Sequence, residues 1–234
     1  MGVIDSVKKT LKIEADSILS TLEKVDSDYQ KAVDIILNCT GKLVVTGMGK
    51  SGQVGKKIAA TLSSTGTPSI FLHPAEGVHG DLGVLRQGDC ILAISNSGET
   101  QEIVNLLPTI KRFGLKIISI VGNKNSTLSK NSDCVLDGSV EREACPLNLA
   151  PTASTTVALA IGDALAVALL EKRGFKEEDF AMFHPSGSLG KRLLTRVSDI
   201  YHSGEEVPIV YEGTKVSDAI YIISSKRFGC SAIV

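Results

Sequence analysis

The sequence predicts an α/β fold, in which a five-stranded parallel sheet is flanked by helices on both faces and preceded by N-terminal helices. The main observation is that short apolar runs alternate with helix-like patterns from residue 43 to residue 172. Alternation at this spacing is typical of right-handed βαβ units, whose parallel strands are covered on both faces. With 234 residues, 43% of them hydrophobic, the chain can bury a full core in this three-layer arrangement.

The predicted elements follow from the hydrophobic pattern. Two N-terminal helices are expected over roughly 5–25 and 28–39, where apolar residues recur at helical spacing. Apolar runs predict strands over 43–46, 69–72, 90–94, 116–121 and 133–136. Helical patterns predict helices over about 52–64, 100–112 and 153–172. The last of these has cations in its final turn and Gly174 as its expected C-cap.

The composition changes near residue 200, where "YHSGEEVP" has the character of a linker. A strand over 208–211, a helix over 215–225 and the start of a strand at 231–234 are predicted after it. Because the chain ends inside an apolar run, we expect an incomplete unit and therefore the front part of a longer protein. The predicted domains are residues 1–200, with N-terminal helices 1–40 and a core 41–196, and an incomplete second unit with its linker, residues 201–234.

Composition and charge exclude several functional classes. A net charge of −1 and a pI near 6.4 give no indication of a nucleic-acid or anionic-membrane surface. The five cysteines form no C-x-x-C pair, which is typical of buried thiols in a reducing compartment. The N-terminus lacks the apolar core of a signal peptide. The apolar stretch 157–170 contains Asp163 and is shorter than the ~20 residues that span a bilayer. We expect a cytoplasmic protein without membrane or nucleic-acid partners.

The stretch "GMGKSG", residues 47–52, follows the first predicted strand. A glycine-rich turn between a strand and a helix directs backbone N–H groups at one point and favours an anion. A dinucleotide would require an acid at the end of the second strand, but that strand ends at His73 and Glu76 comes later. A triphosphate loop would require glycine at the position of Val44. Neither large ligand is expected, and for this stretch alone a plain turn without a ligand is an open alternative.

A second loop, "SNSGET" at residues 95–100, follows the third strand and is rich in hydroxyl groups. Its phosphate-binding candidates are Ser95, Ser97 and Thr100. Because ligands of parallel sheets bind at the carboxyl edge where the strand order reverses, we expect Ser51 and this loop to converge there. Lys50 is the one nearby cation, so the site suits a single phosphate monoester on a small molecule. The alternative is an ordinary helix cap.

Several motifs together resemble the sugar-isomerase (SIS) domain: "GMGKSG", "HPAEGVHGDLG", "ISNSGET" and "PTASTTVALAIGDALAVAL". With "EACPLNLAPT" and "FHPSGSLGKRL", the chain is similar to the family of arabinose 5-phosphate isomerases over about residues 42–196. Residues 207–234 resemble about half of one CBS repeat. The resemblance implies an SIS-type sandwich and an aldose–ketose isomerase, which is an intramolecular oxidoreductase. Such an enzyme interconverts D-ribulose 5-phosphate and D-arabinose 5-phosphate through an enediol, without a cofactor, and supplies Kdo and lipopolysaccharide biosynthesis.

The resemblance also implies site residues. It implies a phosphate held by the hydroxyl groups of Ser51, Ser95, Ser97 and Thr100. It implies catalytic roles for Lys50, Glu102, Glu143 and His184. Apart from the resemblance, we expect His79 and Asn96 to contact the substrate. The family further implies a homo-oligomer, here a homotetramer, with sites at subunit contacts, so that a neighbouring subunit can donate His184.

An aldose–ketose isomerase moves a proton between C1 and C2 and stabilises an enediolate. This shuttle is expected to be a carboxylate with a raised pKa in a partly dry pocket. Glu143, in an irregular loop after the fifth strand, is the first candidate, with a solvated loop acid as the alternative. Glu102 is the second candidate for the base, or a group that binds sugar hydroxyls, although an acid in the first turn of a helix ordinarily complements the helix dipole.

His184 and Lys50 complete the expected chemistry. His184 precedes Pro185 and is expected outside regular helix, where an imidazole that titrates near neutrality can pass the proton that opens the sugar ring. A structural loop histidine is the alternative. Lys50 can offset negative charge on the enediolate or the phosphate, and its alternative is a solvated lysine at a helix start.

The segment "HPAEGVHGD" suggests a metal site, since it contains His73, Glu76, His79 and Asp81. The spacing of the two histidines is unlike a compact helical site, and proton transfer through an enediol requires no metal. We therefore expect no required metal, with His79 as a substrate contact or an incidental ligand.

Two other functions are open: a regulatory SIS module that binds a sugar phosphate, and an SIS isomerase of another sugar phosphate. The carboxylate–histidine set favours an enzyme, because a sensor does not need it.

Overall fold

The computed structural model describes residues 2–185 and 187–234, with the main chain alone at Ser188 and Leu189. The chain divides into two compact units, Met1–Phe183 and His184–Val234. The domain boundary expected at residue 200 lies inside the second unit. The first unit contains the large sheet and the two loops singled out above.

The sheet consists of five parallel strands, β1 (Leu43–Gly47), β2 (Ser69–Leu72), β3 (Cys90–Ser95), β4 (Lys116–Val121) and β5 (Cys134–Asp137). Their order in the sheet is β2-β1-β3-β4-β5. In this register Leu43 lies beside Ser69 on one side and beside Cys90 on the other. The predicted parallel sheet is confirmed, and each strand lies within one residue of its predicted bounds.

Helices surround this sheet. They are α1 (Val3–Leu22), α2 (Ser27–Leu37), α3 (Gly49–Ser64), α4 (Pro74–Gly77), α5 (Gln101–Val104), α6 (Leu107–Arg112), α7 (Thr127–Lys130), α8 (Ala153–Arg173) and α9 (Glu177–Phe183). A short 3-10 turn lies at Asp81–Val84. The prediction of one helix over 100–112 is wrong, because the chain breaks between α5 and α6. Pro108 has no N–H to donate, so it fits the first turn of α6 but not the interior of a longer helix.

Two hydrophobic clusters cover the two faces of the sheet. One contains side chains of α2, α3 and α8, such as Ile36, Ile58 and Val157. The other contains side chains of α5, α6 and α7, such as Ile103 and Leu128. The molecule therefore has the predicted three layers, with α1 packed against α8.

Helix α8 is long and apolar. Within the part of the chain that the structure describes, it alone has the length and hydropathy needed to cross a bilayer, with 21 residues and a mean hydropathy of 1.8. Half of that apolar window is buried, and the helix packs against α1, α2 and α3. Gly174 follows with φ of 63°, the left-handed C-cap that the sequence predicts.

The second unit is small. Its elements are α10 (Ser188–Leu194), α11 (Val197–Ile200), a 3-10 turn (Gly204–Glu206), β6 (Ile209–Val210), α12 (Val216–Lys226) and β7 (Ala232–Ile233). Strands β6 and β7 pair in parallel, so α12 is the crossover of one βαβ unit. This agrees with the strand, helix and strand predicted from the pattern after residue 207.

Candidate active site

The strand order creates a crevice between β1 and β3. The chain passes from β1 to β2 on one side of β1 and then returns to place β3 on its other side. At such a reversal the loops after the two central strands separate in opposite directions and leave a crevice at the carboxyl edge. The loops 47–52 and 95–100 follow these two strands. The topology therefore places both loops at the same edge of the sheet, after neighbouring strands.

The glycines of the first loop allow a close approach between β1 and α3. A Cβ atom on Gly52 would lie 2.5 Å from the carbonyl oxygen of Gly47, closer than real atoms pack. Gly49, the first residue of α3, has φ of 55°, which glycine adopts at little cost. In the first turn of α3, Lys50 is exposed and Ser51 is half-buried. This turn therefore presents Ser51 and helical N–H groups at the crevice.

The second loop contains a small hydrogen-bond network. The hydroxyl oxygens of Ser95 and Thr100 lie 2.8 Å apart, and Ser95 Oγ also accepts the N–H of Gly98 at 3.1 Å. Ser97 is exposed, and its Oγ accepts the N–H of Glu99 at 3.2 Å. One hydroxyl proton of the Ser95–Thr100 pair is used between the two residues, so the pair keeps one proton for an incoming anion.

The end of β4 holds this second loop in place. The N–H of Gly122 donates to the carbonyl oxygen of Asn96 at 2.8 Å, and the N–H of Thr127 donates to Glu99 Oε1 at 2.7 Å. A Cβ atom on Gly122 would collide with Asn96 Oδ1. The position of Asn96 therefore depends on the absence of a side chain at residue 122.

A small cavity connects the first loop with the second. Ser51 and Asn96 line it, together with Gly122, Gly138 and Ser154 at the start of α8. Its volume of about 10 Å³ corresponds to about one water molecule. A sugar phosphate is larger, so it can occupy this place only from the open side of the crevice. Ser154 also brings the N-terminus of α8 to the same cavity.

The carboxylate of Glu143 caps the N-terminus of α8. Its Oε2 accepts the N–H of Thr152 at 2.7 Å, the hydroxyl of Thr152 at 3.0 Å and the N–H of Ser154 at 3.3 Å. Only 9% of Glu143 is exposed. These donors would be unpaired at the start of a helix without such a partner. Glu143 is thus hydrogen-bonded to Ser154, a residue that lines the cavity together with Ser51 and Asn96.

The protonation of Glu143 differs from the expectation. Burial raises the pKa of its carboxyl group, but hydrogen bonds from Ser154 and Thr152 lower it more, so the pKa lies below its usual value of 4.5. The prediction of a raised pKa is therefore wrong, because donors and the helix N-terminus stabilise the charged form. At neutral pH the group is a carboxylate, which is the form that removes a proton.

The other predicted site residues are less closely connected. Glu102 is half-buried in the first turn of α5, and His79 is exposed after α4, which packs against α5. Among the described hydrogen bonds, none joins Lys50, Glu102 or His79 to Glu143. His184 begins the second unit directly after α9 and is half-buried there, outside regular helix as expected.

Residues around Glu143 were not identified as site residues from the sequence. They are Asn148, Thr152 and Ser154, the partners of its main chain and its carboxylate. The run of hydroxyl residues after Pro151 is a helix-start signal. This signal does not show which side chain caps the helix, because Glu143 lies nine residues before Thr152 in the sequence.

Within residues 2–185 and 187–234, no group of three or more His, Cys, Asp or Glu side chains is arranged to hold a metal ion. His73, Glu76, His79 and Asp81 thus form no such group.

The chain is similar to a known domain family and to solved structures. A family model described as the SIS domain matches residues 36–168, which include the whole sheet and both loops. An Escherichia coli CFT073 protein, solved in complex with arabinose 5-phosphate, superposes with a TM-score of 0.76 and 40% identity. That superposition covers 79% of this chain and 100% of the other. The sheet and its crevice are therefore those of an SIS domain.

Curated relatives of similar sequence share one named activity. The arabinose 5-phosphate isomerase KdsD of Pseudomonas aeruginosa is 54% identical over 234 residues, which are 100% of this chain and 72% of that protein. The arabinose 5-phosphate isomerase KpsF of Escherichia coli O6:H1 is 49% identical over 233 residues, 99% of this chain and 70% of that protein. The chain belongs to the SIS-domain family of arabinose 5-phosphate isomerases.

Proposed function

We propose that the protein interconverts D-ribulose 5-phosphate and D-arabinose 5-phosphate through an enediol. One observation carries this proposal: a buried carboxylate, Glu143, is joined through Ser154 to the cavity that the two phosphate-type loops share. A site with an anion-binding edge and a fixed base beside it suits proton transfer on a small phosphorylated sugar. The activity named for relatives about 50% identical supports the same reaction.

The phosphate is proposed to bind at the open side of the crevice. Ser97 is exposed and Ser51 is half-buried at the first turn of α3, so both hydroxyl groups are accessible to a phosphate oxygen. The Ser95–Thr100 pair supplies one further proton. N–H groups in the first turn of α3 add positive potential, and Asn96 is proposed to contact the sugar.

The proton transfer is assigned to Glu143. From the ketose, it removes a proton at C1, and the electrons form the enediolate between C1 and C2 with the negative charge on O2. The proton of the O1 hydroxyl then moves to O2, the carbonyl group forms at C1, and the carbon-bound proton returns at C2 to give the aldose. Glu143 is charged at neutral pH and so available as a base, and its lowered pKa makes the proton that it gains acidic enough to return. Lys50 is proposed to offset enediolate charge, His184 to open the ring, and Glu102 and His79 to bind sugar hydroxyls.

We further propose that the protein acts as a homotetramer whose subunit contacts complete the site. Two observations support this: the cavity within one chain holds about one water, and α1 exposes apolar side chains. These include Val3, Ile4, Leu11 and Leu22, each more than half exposed. Apolar patches of this kind favour contact with another chain. Light scattering tests the proposal, and a monomer with full activity would contradict it.

The region after the sheet domain is proposed to open a CBS repeat. Parallel β6 and β7 with α12 between them support this for residues 201–234, with the SIS domain over residues 1–200.

The product is proposed to supply Kdo for lipopolysaccharide in the cytoplasm. The Kdo content of cells that lack this chain tests this biological role, and we expect it to fall.

A coupled assay tests the activity. The protein is incubated with ribulose 5-phosphate, and in parallel with fructose 6-phosphate and glucosamine 6-phosphate. We expect arabinose 5-phosphate from the pentose, no aldose from fructose 6-phosphate and no ketose from glucosamine 6-phosphate. Turnover of a hexose phosphate alone would indicate another SIS isomerase, and binding of sugar phosphates without turnover would indicate a regulatory module. Either result would contradict the proposal.

A further inference from the structure

Thr152 connects two parts of the loop that carries Glu143. Its hydroxyl donates to Glu143 Oε2 at 3.0 Å and accepts the N–H of Ala144 at 2.8 Å. Its own N–H donates to the same Oε2 at 2.7 Å. With its one proton and one of its two acceptor lone pairs engaged, this hydroxyl has a defined orientation. Thr152 therefore contacts the side chain of Glu143 and the main chain next to it.

Asn148 holds the same loop from the other side. Its Oδ1 accepts the N–H of Glu143 at 2.7 Å, and its own N–H donates to the carbonyl oxygen of Cys145 at 2.8 Å. Its φ of 54° lies in the left-handed region, which asparagine tolerates better than most residues. The main chain of Glu143 is thus fixed by Asn148, while its carboxylate is fixed by Thr152.

We infer that Thr152 is a positioning residue for Glu143, which holds Oε2 against the N-terminus of α8 so that Oε1 exchanges the proton with the substrate. This inference rests on the proposed function, in which Glu143 is the base. A base contributes fully only when it lies within hydrogen-bond reach of the proton that it removes. A side chain held by three donors on one oxygen cannot rotate freely, so the other oxygen keeps one direction.

The test compares Thr152→Val with Thr152→Ser in the full chain. Valine keeps the shape and removes both hydroxyl contacts, whereas serine restores the hydroxyl. We expect Thr152→Val to lower kcat at least about 10-fold, since small displacements of a reacting group are costly, with KM within about 3-fold. Thr152→Ser recovers most of the lost kcat. Thr155→Val is the matched control, because Thr155 lies in the same turn and its hydroxyl donates to the carbonyl oxygen of Thr152, not to Glu143.

A double variant separates positioning from folding. If Thr152 acts through Glu143, then Glu143→Gln with Thr152→Val has the kcat of Glu143→Gln alone, within about 2-fold. Independent, multiplying losses would overturn the inference. So would a wild-type kcat for Thr152→Val, or failure of Thr152→Ser to restore it.

Two further outcomes are distinguishable. If the wild-type protein converts no pentose phosphate, the proposed function itself fails. If Thr152→Val does not fold, Thr152→Ala replaces it, because alanine also removes the hydroxyl group and both of its contacts. We then expect a lower kcat with an unchanged KM, and a wild-type kcat would overturn the inference.

Discussion

The carboxylate of Glu143 has two roles at the scale of single residues, as the cap of α8 and as the proposed base. Capping favours the charged form, since its partners are two N–H groups and a hydroxyl group that all donate to Oε2. Proton abstraction requires the charged form as well. The same contacts that stabilise the helix therefore keep the base ready.

Replacement of Glu143 by glutamine tests its role in the reaction. Glutamine keeps an oxygen that accepts from Thr152, so the helix cap is largely preserved while the basic oxygen is lost. We expect kcat to fall by about 100- to 10,000-fold, the usual contribution of a general base, with KM within a few-fold. Steady-state kinetics measure both, and Glu141→Gln, an exposed acid on the same loop, is the control. Near-normal turnover would move the role of base to Glu102.

The lowered pKa of Glu143 also predicts a pH dependence of stability. A carboxyl group whose folded pKa lies below its usual 4.5 stabilises the fold fully above pH 4.5, and this contribution is lost as the pH falls through the folded pKa. We therefore expect the wild type to exceed Glu143→Gln in free energy of unfolding at pH 7, with a smaller difference below pH 4.5. Urea unfolding at both pH values measures this. A difference independent of pH would contradict the assignment.

Ser97 is expected to act in binding rather than in chemistry. Its hydroxyl is exposed at the crevice and accepts only the N–H of Glu99 among the described contacts. A hydrogen bond to a charged phosphate contributes about 1.5 kcal/mol or more, so Ser97→Ala should raise KM about tenfold with kcat largely kept. Ser225→Ala in the second unit is the control. A lower kcat at unchanged KM would show that Ser97 acts elsewhere in the reaction.

At the scale of elements, the contact between β1 and α3 positions the first loop. The main chains of Gly47 and Gly52 pack against each other with no room for a side chain between them. Ser51 therefore lies on a helix that begins directly against the strand. On the opposite end of the site, α8 approaches α3 at Gly162, where a Cβ atom would collide with Ile58. Helices α3 and α8 thus deliver Ser51 and Ser154 to one cavity.

The first of these contacts is tested by Gly52→Ala. The added methyl group would meet the carbonyl oxygen of Gly47 at 2.5 Å, and overpacking of this kind costs about 1–3 kcal/mol. We expect a lower free energy of unfolding in urea. Gly83→Ala is the control, because nothing lies within 4 Å of its added Cβ atom and its φ is not positive. Equal stability of Gly52→Ala and the wild type would show that β1 and α3 can separate at no cost.

Elements with a long local pattern could be predicted from the sequence, and short ones could not. The strands were predicted within one residue because buried parallel strands are continuous apolar runs bounded by polar turns. The short helix α7 was missed, since it has only four residues and the N–H of its first residue, Thr127, is bound by Glu99 Oε1, a contact over 28 residues. The break before α6 was missed although Pro108 marks it, because the apolar periodicity continues across the break.

At the scale of the whole molecule, the position of the site follows from the topology. Parallel strands predict that loops 47–52 and 95–100 share an edge, and the order β2-β1-β3-β4-β5 places them at the reversal. The environment of Glu143 could not be predicted, because its donors depend on how the loop folds back onto α8. For that reason the sequence indicated the residue but gave the wrong direction for its pKa.

Incorporation of solvent deuterium tests the central proposal most directly. Ribulose 5-phosphate is converted by the protein in deuterium oxide, and the arabinose 5-phosphate formed is examined by proton NMR and mass spectrometry. Because Glu143 returns a proton that exchanges with solvent, we expect deuterium at C2 of the aldose, and a much slower conversion by Glu143→Gln. Complete transfer of the substrate hydrogen without exchange, from C1 to C2 in one direction and from C2 to C1 in the other, would instead indicate a hydride shift and contradict a carboxylate base.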